Sequence, residues 1–248
     1  MTIVKDQRTY SDTFYDDIDR GSFRSAEIVV PMVCELIRPR SVVDVGCGRG
    51  LWLRAFRQQG VESILGLDGD YVSREKLAIP AECFRSVNLA KPFAVEQRFD
   101  LAISLEVAEH LPPRGAAQFV SDVTRLAPFV LFSAAIPAQG GTHHINEEMP
   151  WYWERLFEAR GFLRLDPIQR NIRDDRRVEW WYRQNLYLYV AAERVADDPR
   201  LRAEREYAME HPFEWVHLDV LDKTARPVNL WRKAKRRMAD LFDRRSTV

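Results

Sequence analysis

The chain has 248 residues, enough for one substantial core and an appendage. Hydrophobic residues make up 46% and charged residues 30%, a globular balance that excludes long low-complexity or disordered stretches over most of the chain. Lys plus Arg equals Asp plus Glu at 37 each, so no overall field draws the protein toward nucleic acid or anionic lipid.

The N-terminus, Met1-Thr2-Ile3-Val4-Lys5-Asp6, carries no apolar signal core, and no stretch approaches the roughly 18 apolar residues of a membrane span, so a cytoplasmic protein is expected. Cys34, Cys47 and Cys83 are scattered and odd in number, which supports neither a disulfide framework nor a thiolate zinc site. A first helix is expected over Ser22 to Arg38, closed by Pro39. Five short apolar runs then read as buried strands: Ser41 to Val45, Ser63 to Leu67, Cys83 to Val87, Phe99 to Leu105 and Phe129 to Ala134. Helices are expected between them at Leu51 to Gln59, Tyr71 to Ala78 and Arg114 to Leu126, the alternation of a parallel α/β sheet.

After the fifth strand the rhythm changes. A loop from Pro137 to Met149 leads into a helix, Pro150 to Ala159, ended by Gly161. Strands at Phe162 to Pro167 and Leu186 to Val190 follow, joined by a charged segment, Arg173-Asp174-Asp175-Arg176-Arg177, that reads as an exposed excursion within a terminal hairpin. Asp197-Asp198-Pro199 suggests a boundary, giving a main domain over residues 1–195 and a tail over 196–248. From Arg226 to Val248 eight basic residues face two acidic ones. Trp231, Ala234, Met238, Leu241 and Phe242 recur there at helical spacing, so a basic amphipathic helix is expected. It would dock on its own domain, with a membrane surface or an acidic protein as the other candidate partners.

The strongest chemical signal is Asp44-Val45-Gly46-Cys47-Gly48-Arg49-Gly50, where an apolar strand runs into three alternating glycines and then a helix. Glycines let backbone amides approach a bound ligand, and the helix start adds an electropositive end. The G-x-G-x-G spacing departs from the dinucleotide fingerprint, because Leu51 stands where that pattern has its third glycine; a nicotinamide enzyme is therefore the weaker reading. Asp68, ending the second strand before Gly69, is placed to accept hydrogen bonds from both hydroxyls of a ribose.

Together Asp44 to Gly50, Asp68, Asn88-Leu89 and the segment from Glu106 onward resemble the ordered motifs of class I S-adenosylmethionine-dependent methyltransferases, over roughly Ser41 to Val190. The resemblance implies a Rossmann-like, seven-stranded, mostly parallel sheet with helices on both faces and a terminal antiparallel hairpin. It also implies that the loop from Gly46 through Cys47 and Gly48 to Gly50 lies beside the methionine moiety, that Asp68 holds the ribose, and that Asn88 contacts adenine. Leu105 and Glu106 would border the sulfonium. Asn88 replaces the Asp frequent in the family but can still pair with adenine.

Glu106, Glu109 and His110 form E-x-x-E-H, and with His144 this set could hold a divalent metal. That arrangement resembles metal-dependent O-methyltransferases of ubiquinone biosynthesis and of small-RNA 3′-terminal 2′-O-methylation. Many metal-free members carry a similar segment, and the metal-free reading is favoured at this level. His143 and His144, in the loop Gln139-Gly140-Gly141-Thr142, are candidate bases for the acceptor proton, and the sequence does not choose between them. Helix capping by Asn146, Glu147 and Glu148 is the competing role for this loop, and core packing is the default for Trp151 to Trp153 and Trp180 to Tyr182. The expected activity is O-methylation of a small or glycan-like hydroxyl acceptor; a nucleic-acid acceptor is not favoured. A nitrogen or carbon acceptor, and a scaffold that has lost turnover, remain the alternatives.

Overall fold

A computed structural model of the protein describes residues 12–211, with side chains from Arg20 onward. Helix α1 (Asp12–Ile37) begins well before the expected Ser22 and continues through Pro31. There follow β1 (Ser41–Val45), α2 (Leu51–Gln58), β2 (Ser63–Asp68), β3 (Phe84–Ser86), β4 (Leu101–Leu105), α3 (Ala116–Leu126) and β5 (Phe129–Ser133). The second half contains α4 (Pro150–Glu158), β6 (Phe162–Leu165), α5 (Gln169–Ile172), α6 (Trp180–Asn185), β7 (Tyr187–Ala191), α7 (Ala192–Asp197) and α8 (Pro199–Glu210).

The seven strands form one sheet in the order β3-β2-β1-β4-β5-β7-β6. Neighbours from β3 to β5 are parallel, and β7 runs antiparallel to both β5 and β6. In β1, β4, β5 and β7 side chains alternate between two covered faces, as period 2 requires of a strand buried on both sides, while Arg85 and Ser86 of the edge strand β3 are exposed. Val42, Ile103, Leu131 and Leu188 meet residues of α1 and α2 such as Val29, Leu53 and Phe56. Val43, Ala102, Val130 and Tyr189 meet Phe119 and Val123 of α3 and Trp153 and Phe157 of α4 on the other face. Burying a side chain such as Phe56, which is wholly enclosed, contributes about 1.5–3 kcal/mol.

Two expectations are corrected. Tyr71 to Ala78 is not a helix but one 3-10 turn, Arg74–Lys76, followed by extended backbone at Leu77. The segment is drawn toward the glycine loop instead: Ala78 N donates to Arg49 O, and the Ile79 side chain fills the space over Gly50 and Gly66. The connection between β6 and β7 is also more than an exposed excursion. Arg176 and Arg177 are exposed, but α5 and α6 bracket them, and Ile168, Ile172, Val178 and Tyr182 are buried in the core.

The boundary expected near Val195 falls inside α7. Beyond it α8 packs against β6 with Leu201 and Ala208 buried. Arg164 of β6 is bound there by Asp166, by Glu154 at 3.2 Å and by the Ala208 carbonyl at 2.7 Å. The basic helix expected over residues 226–248 lies outside the described residues. Among the described residues no helix is long and apolar enough to cross a membrane.

Candidate active site

The sheet order reverses direction at β1, with β2 on one side and β4 on the other, so a crevice opens at the carboxyl ends of these three strands. The loop after β1 enters it first. Gly46 has φ 92°, and a Cβ there would come within 2.3 Å of Val107 Cγ2, so only glycine lets the loop pass the end of β4. Gly48, at φ 52°, has nothing within 4 Å of the place a Cβ would take, which leaves its backbone open to close approach. Its amide donates to Asp68 Oδ2 at 2.7 Å.

Asp68 ends β2 at 5% exposure and receives two further donors on Oδ1, the Gly69 amide at 2.6 Å and the Tyr71 hydroxyl. Tyr71 is 62% exposed and lies over Gly69, so this phenol covers the carboxylate from the solvent side. Asp44 is buried one strand away, and burial, then the charge of Asp68, raises its carboxyl well above the usual range. Cys47 is buried against Gly66, its thiol pushed up by burial and by both acids. Asn88 is exposed after β3, where its Oδ1 accepts the Ala90 amide at 3.0 Å and closes a turn. Leu89 lines a cavity of about 210 Å³ with Lys91, Leu111, Pro112 and Phe119.

Across the crevice, β4 ends in Leu105 and Glu106. Glu106 has φ 55°, a left-handed backbone that costs a non-glycine residue roughly 1–2 kcal/mol. It is pinned by its amide, which donates to Ser133 O and Oγ at 3.0 and 3.1 Å. One 3-10 turn, Ala108–His110, then brings Glu109 and His110 back over the strand end. The loop after β5 is tied to that turn: Ile145 N and Asn146 N both donate to Glu109 O, at 2.9 and 3.0 Å. These bonds place His144 beside His110, their rings edge to face at 4.8 Å.

The result is a cluster in which one ligand atom each from Glu109, His110 and His144 lies within 4.8 Å of the others. Glu109 is fully enclosed, and neither carboxylate oxygen has a donor in hydrogen-bonding geometry. Burial, then the neighbouring Glu106, holds its pKa well above the ordinary range, and the nearby amides of Glu109 and Ala135 offset this only in part.

The imidazoles are oriented from behind. His110 Nδ1 faces the His143 carbonyl at 3.3 Å and His144 Nδ1 faces Glu147 Oε1 at 3.2 Å. Both partners are acceptors, so the tautomer that suits these contacts is the one with its proton on Nδ1, which leaves Nε2 the nitrogen open to a ligand. Burial works to raise Glu147, but the bonds from His144, Ala138 N and Gly140 N outweigh it and hold the carboxyl below its usual value.

Of the four residues that the sequence offered to a metal, three converge, and Glu106 stands beside Glu109 rather than within the trio. His143 is exposed with φ 61° and enters the cluster through its carbonyl rather than its ring. Burial raises Glu106 as well, while Gln139, Ser133 and Asn185 counter the shift. Its carboxylate accepts Gln139 Nε2 at 2.8 Å and Asn185 Nδ2 at 3.2 Å. Neither amide was singled out as a site residue from the sequence; Asn185 stands 79 positions from Glu106 and no local pattern connects them. Trp153 and Tyr182 pack in the core, Trp153 against Phe132 and Tyr182 against Trp52.

Residues 24–158 match a family described as a methyltransferase domain. A ubiquinone biosynthesis O-methyltransferase of Neisseria meningitidis serogroup C is 24% identical over 164 residues, covering 59% of this chain and 64% of that enzyme. The chain therefore matches less than two thirds of that relative's length. The crystal structure of DesVI from Streptomyces venezuelae superposes with a TM-score of 0.53 at 14% identity, over 72% of this chain and 97% of that one. The methyltransferase domain of bacterial CtHen1-C does so with a TM-score of 0.51 at 18% identity, over 67% of this chain and 97% of that one. At such identities the likeness to both structures is one of fold.

Proposed function

The chain belongs to the class I S-adenosylmethionine-dependent methyltransferase superfamily, and we propose that it methylates a hydroxyl of a small or glycan-like acceptor at a divalent-cation site built on Glu109, His110 and His144. One observation carries the cation: a fully buried carboxylate without a hydrogen-bond donor faces two histidines whose opposite nitrogens are already committed. An uncompensated buried carboxylate is costly, and a cation of charge two would satisfy it. Metal-binding imidazoles characteristically donate their second N–H to a carboxylate or a carbonyl, the two partners found on His144 and His110.

The donor set of one carboxylate and two imidazoles, with a second carboxylate adjacent, suits Mn²⁺, Fe²⁺ or Zn²⁺, and Mg²⁺ if water completes the shell. Such a cation supplies Lewis acidity that favours the ionised form of an acceptor hydroxyl and a fixed position for an oxygen beside it. S-adenosylmethionine supplies the electrophilic methyl group.

The remaining work falls to the chain. Gly46 to Gly50 and Asp68 bind the cofactor from the β1 and β2 side, with Asp68 directed at the ribose. Leu105 and Glu106 border the reacting centre on the β4 side. Transfer forms an O–C bond as the S–C bond breaks; the sulfur keeps the bonding pair, and the acceptor proton passes to a base or to water. His143 is the base that this arrangement leaves available, because the ring of His144 is turned into the cation site. Two hydroxyls on adjacent carbons, as in a catechol or a sugar diol, form the acceptor class that such a site orients best. O-methylation by the Neisseria relative supports oxygen as the acceptor atom.

The test is a coupled assay of S-adenosylhomocysteine formation over a panel of catechols, sugar diols and their monohydroxyl counterparts, with Mn²⁺ or with chelator. Transfer to diols that chelator abolishes is the expected result. Equal turnover in chelator would leave His143 as a metal-free base and remove the cation from the reaction.

A further inference from the structure

Asn185 is 2% exposed at the end of α6, and with Gln139, 4% exposed, it encloses the carboxylate of Glu106. Asn185 Nδ2 donates to Glu106 Oε1 at 3.2 Å and to Gln139 Oε1 at 2.8 Å. Gln139 Nε2 donates to Glu106 Oε2 at 2.8 Å, while Gln139 Oε1 also takes the Ile136 amide at 3.3 Å. The partners fix both amides: turning Asn185 over would set its oxygen against two other oxygens, and turning Gln139 over would set N–H against N–H.

Each oxygen of Glu106 therefore has its own donor, and both donors are neutral. Such donors orient a carboxylate and stabilise its ionised form without cancelling its charge, as a lysine or arginine in the same place would. The carboxyl held in this way stands beside the buried carboxyl of Glu109. Three separate elements converge to make the arrangement: the end of β4, the loop after β5 and α6 from the connection between β6 and β7.

We infer that Gln139 and Asn185 form an amide clamp that fixes the Glu106 carboxylate facing Glu109, so that Glu106 serves as the second acid of the cation site. Both are positioning residues, since they act on the cation through Glu106. The inference rests on the cation reading proposed above.

The test titrates Mn²⁺ into the full chain and follows the electron paramagnetic resonance signal of free Mn²⁺, which needs neither acceptor nor turnover. S-adenosylhomocysteine binding, measured by calorimetry, checks that each variant keeps its fold and its cofactor cleft. Asn185→Ala and Gln139→Met, the second close to isosteric but without donors, should each weaken Mn²⁺ binding about tenfold or more, the range typical of residues that orient metal ligands. Affinity for S-adenosylhomocysteine should be unchanged. In a Glu106→Gln background Asn185→Ala should add nothing, because the clamp then holds no carboxylate.

If Mn²⁺ binds the wild type and both single variants equally, the clamp is refuted and the cation site stands. An Asn185→Ala effect as large in the Glu106→Gln background as in the wild type refutes it too, by showing that Asn185 acts elsewhere. A wild type that binds no Mn²⁺ overturns the cation reading and the clamp together. Two variants are used so that a folding failure in either leaves the other decisive.

Discussion

Replacing Glu109 by Gln separates a ligand from a structural group, because the two roles predict opposite changes in stability. The Glu109 carboxylate has no exposure, no donor on either oxygen and Glu106 as a neighbour. A buried polar group without a partner costs about 1–3 kcal/mol, and an amide would relieve the like-charge contact and offer Glu106 a donor. Without a cation, Glu109→Gln should therefore be as stable as the wild type or more so, by up to roughly 1–3 kcal/mol.

With a cation the order reverses. Free Mn²⁺ at a hundred times its Kd stabilises a single-site protein by about 2.7 kcal/mol. For a chain of this size, at roughly 2–4 °C per kcal/mol, that raises Tm by about 5–10 °C. Thermal melts of both proteins in chelator and in Mn²⁺ provide the assay, with the rise expected only in the wild type. A Gln variant several kcal/mol less stable in chelator would show that Glu109 is paired within the protein. An equal rise in both proteins would place the cation elsewhere.

Asp68→Ala should weaken S-adenosylhomocysteine binding about 10- to 100-fold, the loss of one or two hydrogen bonds to a charged group, whereas Tyr71→Phe, which removes the hydroxyl that occupies Oδ1 of the same carboxylate, should tighten it by up to about tenfold; calorimetry reads both. Gly141→Ala sets a methyl group 2.3 Å from the His144 ring on a backbone with φ 153°, so Mn²⁺ binding should fall about tenfold or more while cofactor binding survives. Arg164→Met leaves Asp166 without its buried cation, Glu154 with Arg205 alone and the Ala208 carbonyl of α8 without its donor, a destabilisation of about 3–5 kcal/mol that urea unfolding would detect. In chelator, unfolding midpoints should fall as pH rises above the ordinary carboxylate range, where the lowered carboxyls Glu147, Asp175 and Asp198 are already ionised in both states. Asp44, Glu106 and Glu109 have pKa values raised in the fold, so the folded chain holds protons that the unfolded one releases; their stabilisation is complete below the ordinary carboxylate range and is lost as pH climbs through the raised values. A midpoint that rose over the same range would contradict these shifts.

The sequence was most legible where function depends on residues close together in the chain. The G-x-G-x-G loop, Asp68 at a strand end and the E-x-x-E-H turn each declare themselves within a few positions, and strand alternation supplied the sheet that aligns them. His144 was readable as a candidate, but its approach to Glu109 depends on backbone bonds from Ile145 and Asn146 to the Glu109 carbonyl, which leave no mark on composition. Asn185 was hidden because its segment, rich in Arg and Asp, reads as solvated, although Ile172, Val178 and Tyr182 anchor it to the core. The helix expected over Tyr71 to Ala78 failed for a related reason. Arg74, Glu75 and Lys76 are good helix formers, but Ile79 is required over Gly50 and Gly66, and filling that space extends the chain.

The most direct test of the cation site is anomalous diffraction from crystals grown with Mn²⁺ and S-adenosylhomocysteine. A manganese peak in bonding contact with Glu109, His110 and His144, beside Glu106, is the predicted result. Well-ordered side chains at these positions with no peak among them, in crystals whose cofactor cleft is filled, would contradict the account.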